Sequence, residues 1–426
     1  MVKYHCMGFW SRSGIVRGEN GMTQNVLIVH NYYQIPGGED TVVANEKKML
    51  EAHGHKVWLY TRSNTELKSF GPFQKLALPF TAIYSRKTYR EVKKLIRDNN
   101  IDVLHVHNTL SLISPSVYYA GFDSKIPVIQ TMHNFRFLCP GAEFYRNGKI
   151  CEDCVREKSG LWCGVKHKCY RGSFLQTLAS SVTLKLHRML GTYRKLHYIC
   201  LTEFNKEKLL LLNRGKKQLI DECQVFVKPN FTYDPTDTQE CKKFVTENKA
   251  DYYIYVGRLE EIKGIHVILK AFRKNRKELY VIGSGTREEI IRQYIAKHDL
   301  KNIHLMGYQP RERVDELIRG AKAMIVAPQW YETFGMTVVE AFASHTPVIV
   351  GDMGNAGGLV EEGKNGWHFS YRSAADLERV VAKVDALGEE QRRQIGENAY
   401  RTYADYYSEE VNYRMLKEIY DTVCRK

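Results

Sequence analysis

Residues 25–53 read NVLIVHNYYQIPGGEDTVVANEKKMLEAH, and the fold follows from how this stretch is divided. The short apolar run Val26-Leu27-Ile28-Val29 fits a strand covered on both faces, because a half-exposed strand would alternate apolar and polar residues. A glycine-containing loop comes next, and Asp40 to His53 reads as an amphipathic helix. Lys56-Val57-Trp58-Leu59-Tyr60 is then the next strand. Working outward, Asp102 to His107, Pro127 to Thr131, Leu196 to Leu201 and Gln224 to Val227 continue the same alternation. Short strands separated by helices predict an α/β chain with a parallel, doubly wound sheet.

The turn-rich stretch Lys228 to Asp237 interrupts this rhythm and reads as a linker over 229–238. The alternation then restarts, with strands predicted at Tyr252–Val256, Leu279–Ile282, Ile303–Met306, Ala323–Ala327 and Pro347–Val350. Helices are predicted at Arg311–Gly320 and Met336–Ser344, and a last helix, within 408–426, has no strand after it. The expected organisation is one α/β domain over 22–228 and a second over 239–407. Their ligand crevice is expected at the carboxyl ends of the strands, between the two. Residues 1–21 resemble neither a signal peptide nor the strand-and-helix pattern that begins at Asn25, so Met22 is read as the working start and 1–21 as a disordered extension.

The chain of 426 residues suits two domains, and its 43% hydrophobic and 12% aromatic content suits a globular protein. No apolar run approaches the roughly 20 residues needed to span a bilayer. The 63 basic against 48 acidic residues give a net charge of +15, which calls for an anionic partner. Without an export signal, the ten cysteines are read as reduced and the protein as cytoplasmic.

Two elements of the second domain carry chemistry. Gly257-Arg258 and Lys263-Gly264 put two cations at the end of the Tyr252–Val256 strand, where they could neutralise a departing diphosphate or form a surface salt-bridged pair. Glu332 to Glu340, reading ETFGMTVVE, comes after the apolar strand Ala323–Ala327. The amides of Phe334, Gly335, Met336 and Thr337 open a helix there, where orphan N–H groups favour phosphate. Glu340 lies among Val338, Val339, Ala341 and Phe342, so its carboxylate needs a partner, and paired ribose hydroxyls could supply one.

These motifs resemble the family-4 (group 1) GT-B glycosyltransferases, and the likeness runs from Asn25 to beyond Trp367, including Gly357-Gly358 and Gly366. The resemblance implies two facing Rossmann-like domains, the last helix crossing back to the first. It also implies a retaining transfer of sugar from a UDP- or GDP-type nucleotide sugar, with no cofactor for catalysis. The roles it implies place Arg258 and Lys263 on the diphosphate, Glu340 on the ribose, and Glu332 and His133 beside the transferred sugar. Gly37, Gly38, His107 and Asn134 match the substrate-binding positions of the first domain. His105, alternating with His107, is expected to pack inside.

Cys139, Cys151, Cys154, Cys163 and Cys169 fall in one loop-rich segment of the first domain, with His167 and His187 nearby. Four thiolates, or three and a histidine, could hold a structural zinc, and packed free thiols are the alternative. The surrounding residues, His133 through Cys139-Pro140 to Cys169-Tyr170-Arg171-Gly172-Ser173, resemble a bacterial polysaccharide-related subgroup, implying a glycan or lipid-linked acceptor. Leu175 to His197 mixes apolar residues with Lys185, Arg188, Arg194 and Lys195. It reads as a basic amphipathic helix, lying on an anionic membrane at the inner face of the plasma membrane or packing on the sheet. The basic run Arg86 to Arg97 would add to the attraction. Two other classes compete. A zinc-bearing nucleic-acid binder leaves Glu332 and Glu340 unexplained, so nucleic acid is not expected as a partner. A GT-B-like sugar-nucleotide epimerase shares the crevice, but the Arg258/Lys263 and Glu332/Glu340 set favours transfer.

Overall fold

The computed structural model describes residues 23–34, 37–215, 218–235 and 250–425. The reading of residues 1–21 as an extension falls outside these, as does the end of the expected linker. The described chain divides into two compact units. Unit 1 holds the described residues up to Phe144, Cys151–Pro229 and the residues from Tyr413 onward, whereas unit 2 holds Tyr145–Ile150 and Asn230–Asn412.

Unit 1 is built on strands β1 (Asn25–Tyr32), β2 (Lys56–Ser63), β3 (Val103–Asn108), β4 (Val128–Met132), β7 (His197–Cys200) and β8 (Val225–Val227). Between them in the chain a two-residue-per-arm hairpin, β5 (Tyr145–Arg146) and β6 (Lys149–Ile150), has no counterpart in the sequence reading. The six strands pair in parallel in the order β2-β1-β3-β4-β7-β8. Val26 to Val29 are fully buried, as a strand covered on both faces requires.

Unit 2 repeats the plan with β9 (Tyr252–Val256), β10 (Glu278–Ile282), β11 (Ile303–Gly307), β12 (Ala323–Val326), β13 (Val348–Gly351) and β14 (Gly366–Phe369). Their order is β11-β10-β9-β12-β13-β14, again all parallel. β14 is an addition to the strands expected. The core of the unit packs Ile254, Phe272, Val281, Ile325, Ile349 and Trp367. In each sheet the strand order switches direction beside the first strand, between β1 and β3 and between β9 and β12. The strand ends on either side of such a switch splay apart and leave room for a ligand.

The last helix, Glu409–Cys424, has no strand after it. Its residues Leu416, Ile419, Tyr420 and Val423 recur at helical spacing and are buried, and from Tyr413 onward it belongs to unit 1. Burying each such side chain is worth about 1.5–3 kcal/mol, which ties this helix to the first unit. The Leu175–His197 segment is shorter as a helix than expected: the helix is Phe174–Met189, followed by a 3-10 turn at Thr192–Lys195. Gly191, at φ +69°, stops it in the left-handed conformation that glycine tolerates.

Candidate active site

In unit 2 the loop after β9 and the loop after β12 are fastened together by backbone. The Gln329 amide donates to the Ile262 carbonyl at 2.8 Å. Gly264, at φ +72°, lies so close to Ala327 that an added Cβ would sit 1.8 Å from the Ala327 carbonyl oxygen. Only glycine fits there, for both steric and conformational reasons. The fastening brings Lys263 to Glu332 across 69 positions of sequence, Nζ to Oε1 at 2.5 Å, with the Lys263 ammonium 5.7 Å from the Trp330 ring centroid. Asn355, buried, donates to the carbonyls of Glu332 and Thr333 at 2.7 and 3.1 Å and holds the loop from below. Arg258 is half-exposed and pairs with Glu260 at 2.9 Å, so in the free chain it makes the surface pair that was the alternative to a diphosphate contact.

The helix Met336–Ala343 starts from Gly335, at φ +112°. A glycine cap offers no side-chain acceptor to the first-turn amides, so these remain suited to an anion. Phe334, Val338, Val339, Ala341 and Phe342 are buried and orient the helix, leaving Met336, Thr337 and Glu340 partly accessible. Glu340 does have a protein partner, Arg311, at 2.7 Å. Burial raises the Glu340 carboxyl above its usual range, and Arg311 opposes the rise. Arg311 also meets Asp315 at 3.0 Å. Sequence periodicity places the Arg311–Gly320 helix but not this contact, because nothing local separates Arg311 from Arg313.

In unit 1 the site gathers at the ends of β1, β3 and β4. His107 Nδ1 and His133 Nε2 are 2.8 Å apart, with the rings stacked at a 5.1 Å centroid distance. His107 Nε2 lies 3.3 Å from Glu46, whose other oxygen accepts from Lys228 Nζ at 2.9 Å. Burial disfavours charge on Glu46, yet Lys228 and His107 together hold its carboxyl well below the usual range. The Glu46 carboxylate beside His107 Nε2 favours the tautomer that carries its proton there, in which His107 Nδ1 accepts from His133 Nε2–H. Burial, with His107 adding to it, keeps His133 well below its usual pKa and therefore neutral. His105 is buried as expected, bonded to Tyr420 and Thr131 at 2.8 and 2.7 Å. Among the described residues, Glu46, His105 and His107 bring ligating atoms within 4.8 Å of one another. The set does not fit a metal, since both His105 nitrogens are engaged and Lys228 already neutralises Glu46.

Gly37 caps the helix Gly38–Ala52, and its amide donates to Asp40 at 2.9 Å. Asp40 also meets buried His30 at 2.7 Å. Beside them, burial and the Asp40 charge push the Glu39 carboxyl up to about 8, although Tyr33, Arg136 and Asn108 oppose the shift. Asn134 donates to the Tyr33 hydroxyl at 3.4 Å and so joins this same group of residues. Glu39 predicts a pH effect. An unfolded chain releases this proton near 4.5, and the folded chain holds it to about 8. Over that window the folded state binds more protons, so this group makes stability fall as pH rises. Glu39→Gln is expected to remove the slope, its melting temperature gaining on the wild type between about pH 5 and about pH 9. A constant gap across that range would show that Glu39 ionises normally.

The five cysteines of the loop-rich segment form no disulfide. Cys139 is buried, and its thiol is pulled down by the Cys154 thiol, which is itself pushed up, and, against burial, by the amides of Phe144, Gly141 and Ala142. Such a nest stabilises thiolate. The Cys154 sulfur lies within 3.3 Å of a Cβ placed on Gly164, and Cys169 packs likewise on Gly141. Cys163 instead meets the Ser159 hydroxyl at 2.9 Å. His187 bonds Thr192 and the Ile83 carbonyl through its two nitrogens, which removes it as a ligand.

Residues 237–402 match the family Glycosyl transferases group 1, and residues 36–152 match Glycosyltransferase Family 4. An uncharacterized glycosyltransferase of Methanocaldococcus jannaschii is 28% identical over 51% of this chain, and the chain spans 60% of that relative's length. The alpha-monoglucosyldiacylglycerol synthase of Acholeplasma laidlawii is 24% identical over 80% of this chain and 83% of its own. Among solved structures, Anabaena HepE in complex with UDP superposes with a TM-score of 0.62 at 15% identity, covering 93% of this chain and all of its own (100%).

Proposed function

From the matches to the group 1 and family 4 glycosyltransferase families, we propose that this chain transfers a sugar from a UDP- or GDP-sugar to a glycan or lipid-linked saccharide, with retention at the anomeric carbon. The observation that carries the reading is the meeting of Lys263 and Glu332 beside the glycine-started helix Met336–Ala343. A cation, a carboxylate and helix-start amides converge there from two strand ends, which is what a sugar diphosphate needs.

The roles divide by unit. In unit 2, Arg258, Lys263 and the amides of Phe334 to Thr337 take the diphosphate, Glu340 takes the ribose hydroxyls, and Glu332 orients the sugar. In unit 1, His133, held by His107, lies beside the transferred sugar and orients it, while Asn134 and the backbone at Gly37 and Gly38 receive the substrate. The acceptor hydroxyl attacks from the face that the diphosphate leaves. Its proton passes to the leaving phosphate oxygen, whose charge Arg258 and Lys263 absorb without a divalent metal. The glycolipid synthase among the relatives supports a lipid-linked acceptor and association with a membrane surface, and a peripheral place on its cytoplasmic face is part of the proposal. Incubation with UDP- and GDP-sugars and saccharide acceptors should release nucleoside diphosphate and give a product of unchanged anomeric configuration by NMR. Epimerised donor without transfer, or an inverted product, would refute the reading. Glu340→Gln should weaken UDP or GDP binding at least several-fold by calorimetry, whereas Glu332→Gln should mainly slow transfer.

The same proposal includes a structural zinc on Cys139, Cys151, Cys154 and Cys169. The C-x-x-C pair Cys151 and Cys154 carries this proposal, and Cys163 is set apart by its bond to Ser159. Among the described residues no three cysteine sulfurs are gathered within ligating distance of one another, so zinc would have to draw them together. Protein purified without chelators should carry about one zinc per chain and lose thermal stability when it is removed. A metal-free preparation of equal stability would leave packed thiols.

A further inference from the structure

The helix Phe174–Met189 is inside out. Its buried residues include Thr177, Ser180, Ser181, Thr183 and His187, with Leu184 the apolar one. Its exposed residues include Leu175 (71% exposed), Val182, Leu186 and Met189, which recur at the spacing of one helical face. Leu184 and, beyond the helix, Tyr193 turn inward, while Val182, Leu186 and the following Leu190 turn to the surface. Beside it packs the helix Pro72–Ile83, reading PFQKLALPFTAI, in which Ala82 alone is buried. Phe73 is 88% exposed, Leu76 73% and Phe80 74%. A soluble helix hides such residues, so these two together present an apolar face that something must cover.

The polar inner face has its own reason. Ser180, Thr183 and Leu184 line a cavity of about 60 Å³ with His107, His133 and Arg136. The helix therefore gives Ser180 and Thr183 to the cavity beside His133, bonds Thr177 and His187 to backbone carbonyls, and turns its apolar side to the outside.

We propose that the apolar face of these two helices lies in the interface of an anionic lipid bilayer. Charge selects this occupant over a second copy of the chain. Neither helix contains an acidic residue; exposed Lys75 and Lys185 lie on the helices themselves, and exposed Arg86, Arg194 and Lys195 follow shortly after them in the chain. Two such faces brought together would repel, whereas anionic headgroups neutralise these cations while the acyl boundary takes the apolar side chains. Among the described residues no helix is long and apolar enough to cross a membrane, so the contact is one of lying on the surface. The inference rests on the transferase reading, to which it adds the route by which a lipid-linked acceptor reaches His133.

The test is flotation with vesicles of phosphatidylcholine, with and without phosphatidylglycerol, at low and high salt, for the wild type and for Phe73→Ser/Leu76→Ser and Leu175→Ser/Leu186→Ser. The wild type should float with the anionic vesicles at low salt. Each double variant should lose at least tenfold in binding, since each buried side chain of this size is worth about that factor. Donor consumption with a soluble saccharide acceptor should be unchanged in the variants. Wild type that does not float, or variants that float equally well, would overturn the proposal. So would a wild-type dimer that the variants convert to monomer, because a second copy would then cover the face. Flotation without any nucleotide-sugar turnover would instead refute the transferase reading and leave the docking face standing.

Discussion

Lys263→Ala will lower turnover by about a hundredfold to a thousandfold while the chain stays folded, as removal of one charge contact to a developing transition-state anion does elsewhere. Lys263 is only partly buried, and its ion pair with Glu332 is a small contributor to stability, so unfolding does not confuse the result. Its position is fixed by backbone rather than by that pair. Gly264 presses on Ala327 and the Gln329 amide binds Ile262, so the 3-10 turn carrying Lys263 is held with or without Glu332. Arg258→Ala should fall in the same direction. Steady-state kinetics with a nucleotide sugar checks this, and unchanged turnover with intact donor binding would remove Lys263 from the diphosphate.

Lys228→Met is expected to cost about 3–5 kcal/mol of stability, because it strands a buried carboxylate. The Lys228 ammonium and the Glu46 carboxylate are both essentially without solvent contact, so bulk water cannot replace the lost charge. The double variant Lys228→Met/Glu46→Gln should recover most of the loss, since removing both charges removes the uncompensated burial. Urea unfolding of the three proteins measures this. A loss below about 1 kcal/mol in the single variant would mean that Glu46 is neutral in the folded chain. The order of protons through His107 to His133 would then lack its anchor.

The contrast between Lys263 and Lys228 shows what a sequence displays. Lys263 comes shortly after a strand and precedes a glycine, and that local setting marks it. Lys228 stands in the turn-rich stretch at the start of the expected linker, and Glu46 reads as one more charge on an amphipathic helix. Their partnership spans 182 positions and exists only once β8 has been laid beside β7. Arg311 was hidden for the same reason, and so was Asn355, although it sits beside the glycines that carried part of the resemblance. Central strands such as β1, β12 and β13 were legible because runs buried on both faces are largely apolar. β14 was not, since Gly366-Trp-His-Phe369 is short and mixed, and its strand character comes from pairing with β13. Apolar periodicity also located the surface helices without saying which way they face. Phe174–Met189 turns polar side chains inward where they find partners that the sequence does not display: Thr177 bonds the Ser173 carbonyl and His187 the Ile83 carbonyl, while Ser180 and Thr183 line a cavity.

The measurement that bears most directly on the account is a thermal-stability screen of the purified chain against UDP- and GDP-sugars and their nucleoside diphosphates, run in parallel on Lys263→Ala and Glu340→Gln. A ligand that binds only the folded state raises the melting temperature with its concentration, by about 2.7 kcal/mol at a hundred times its dissociation constant. The account predicts that at least one sugar of one base class, together with its diphosphate, stabilises the wild type. Both variants should need several-fold more ligand for the same shift. If no nucleotide sugar of either class stabilises the wild type, or if the variants respond as the wild type does, the donor site assigned to Lys263, Glu332 and Glu340 is wrong.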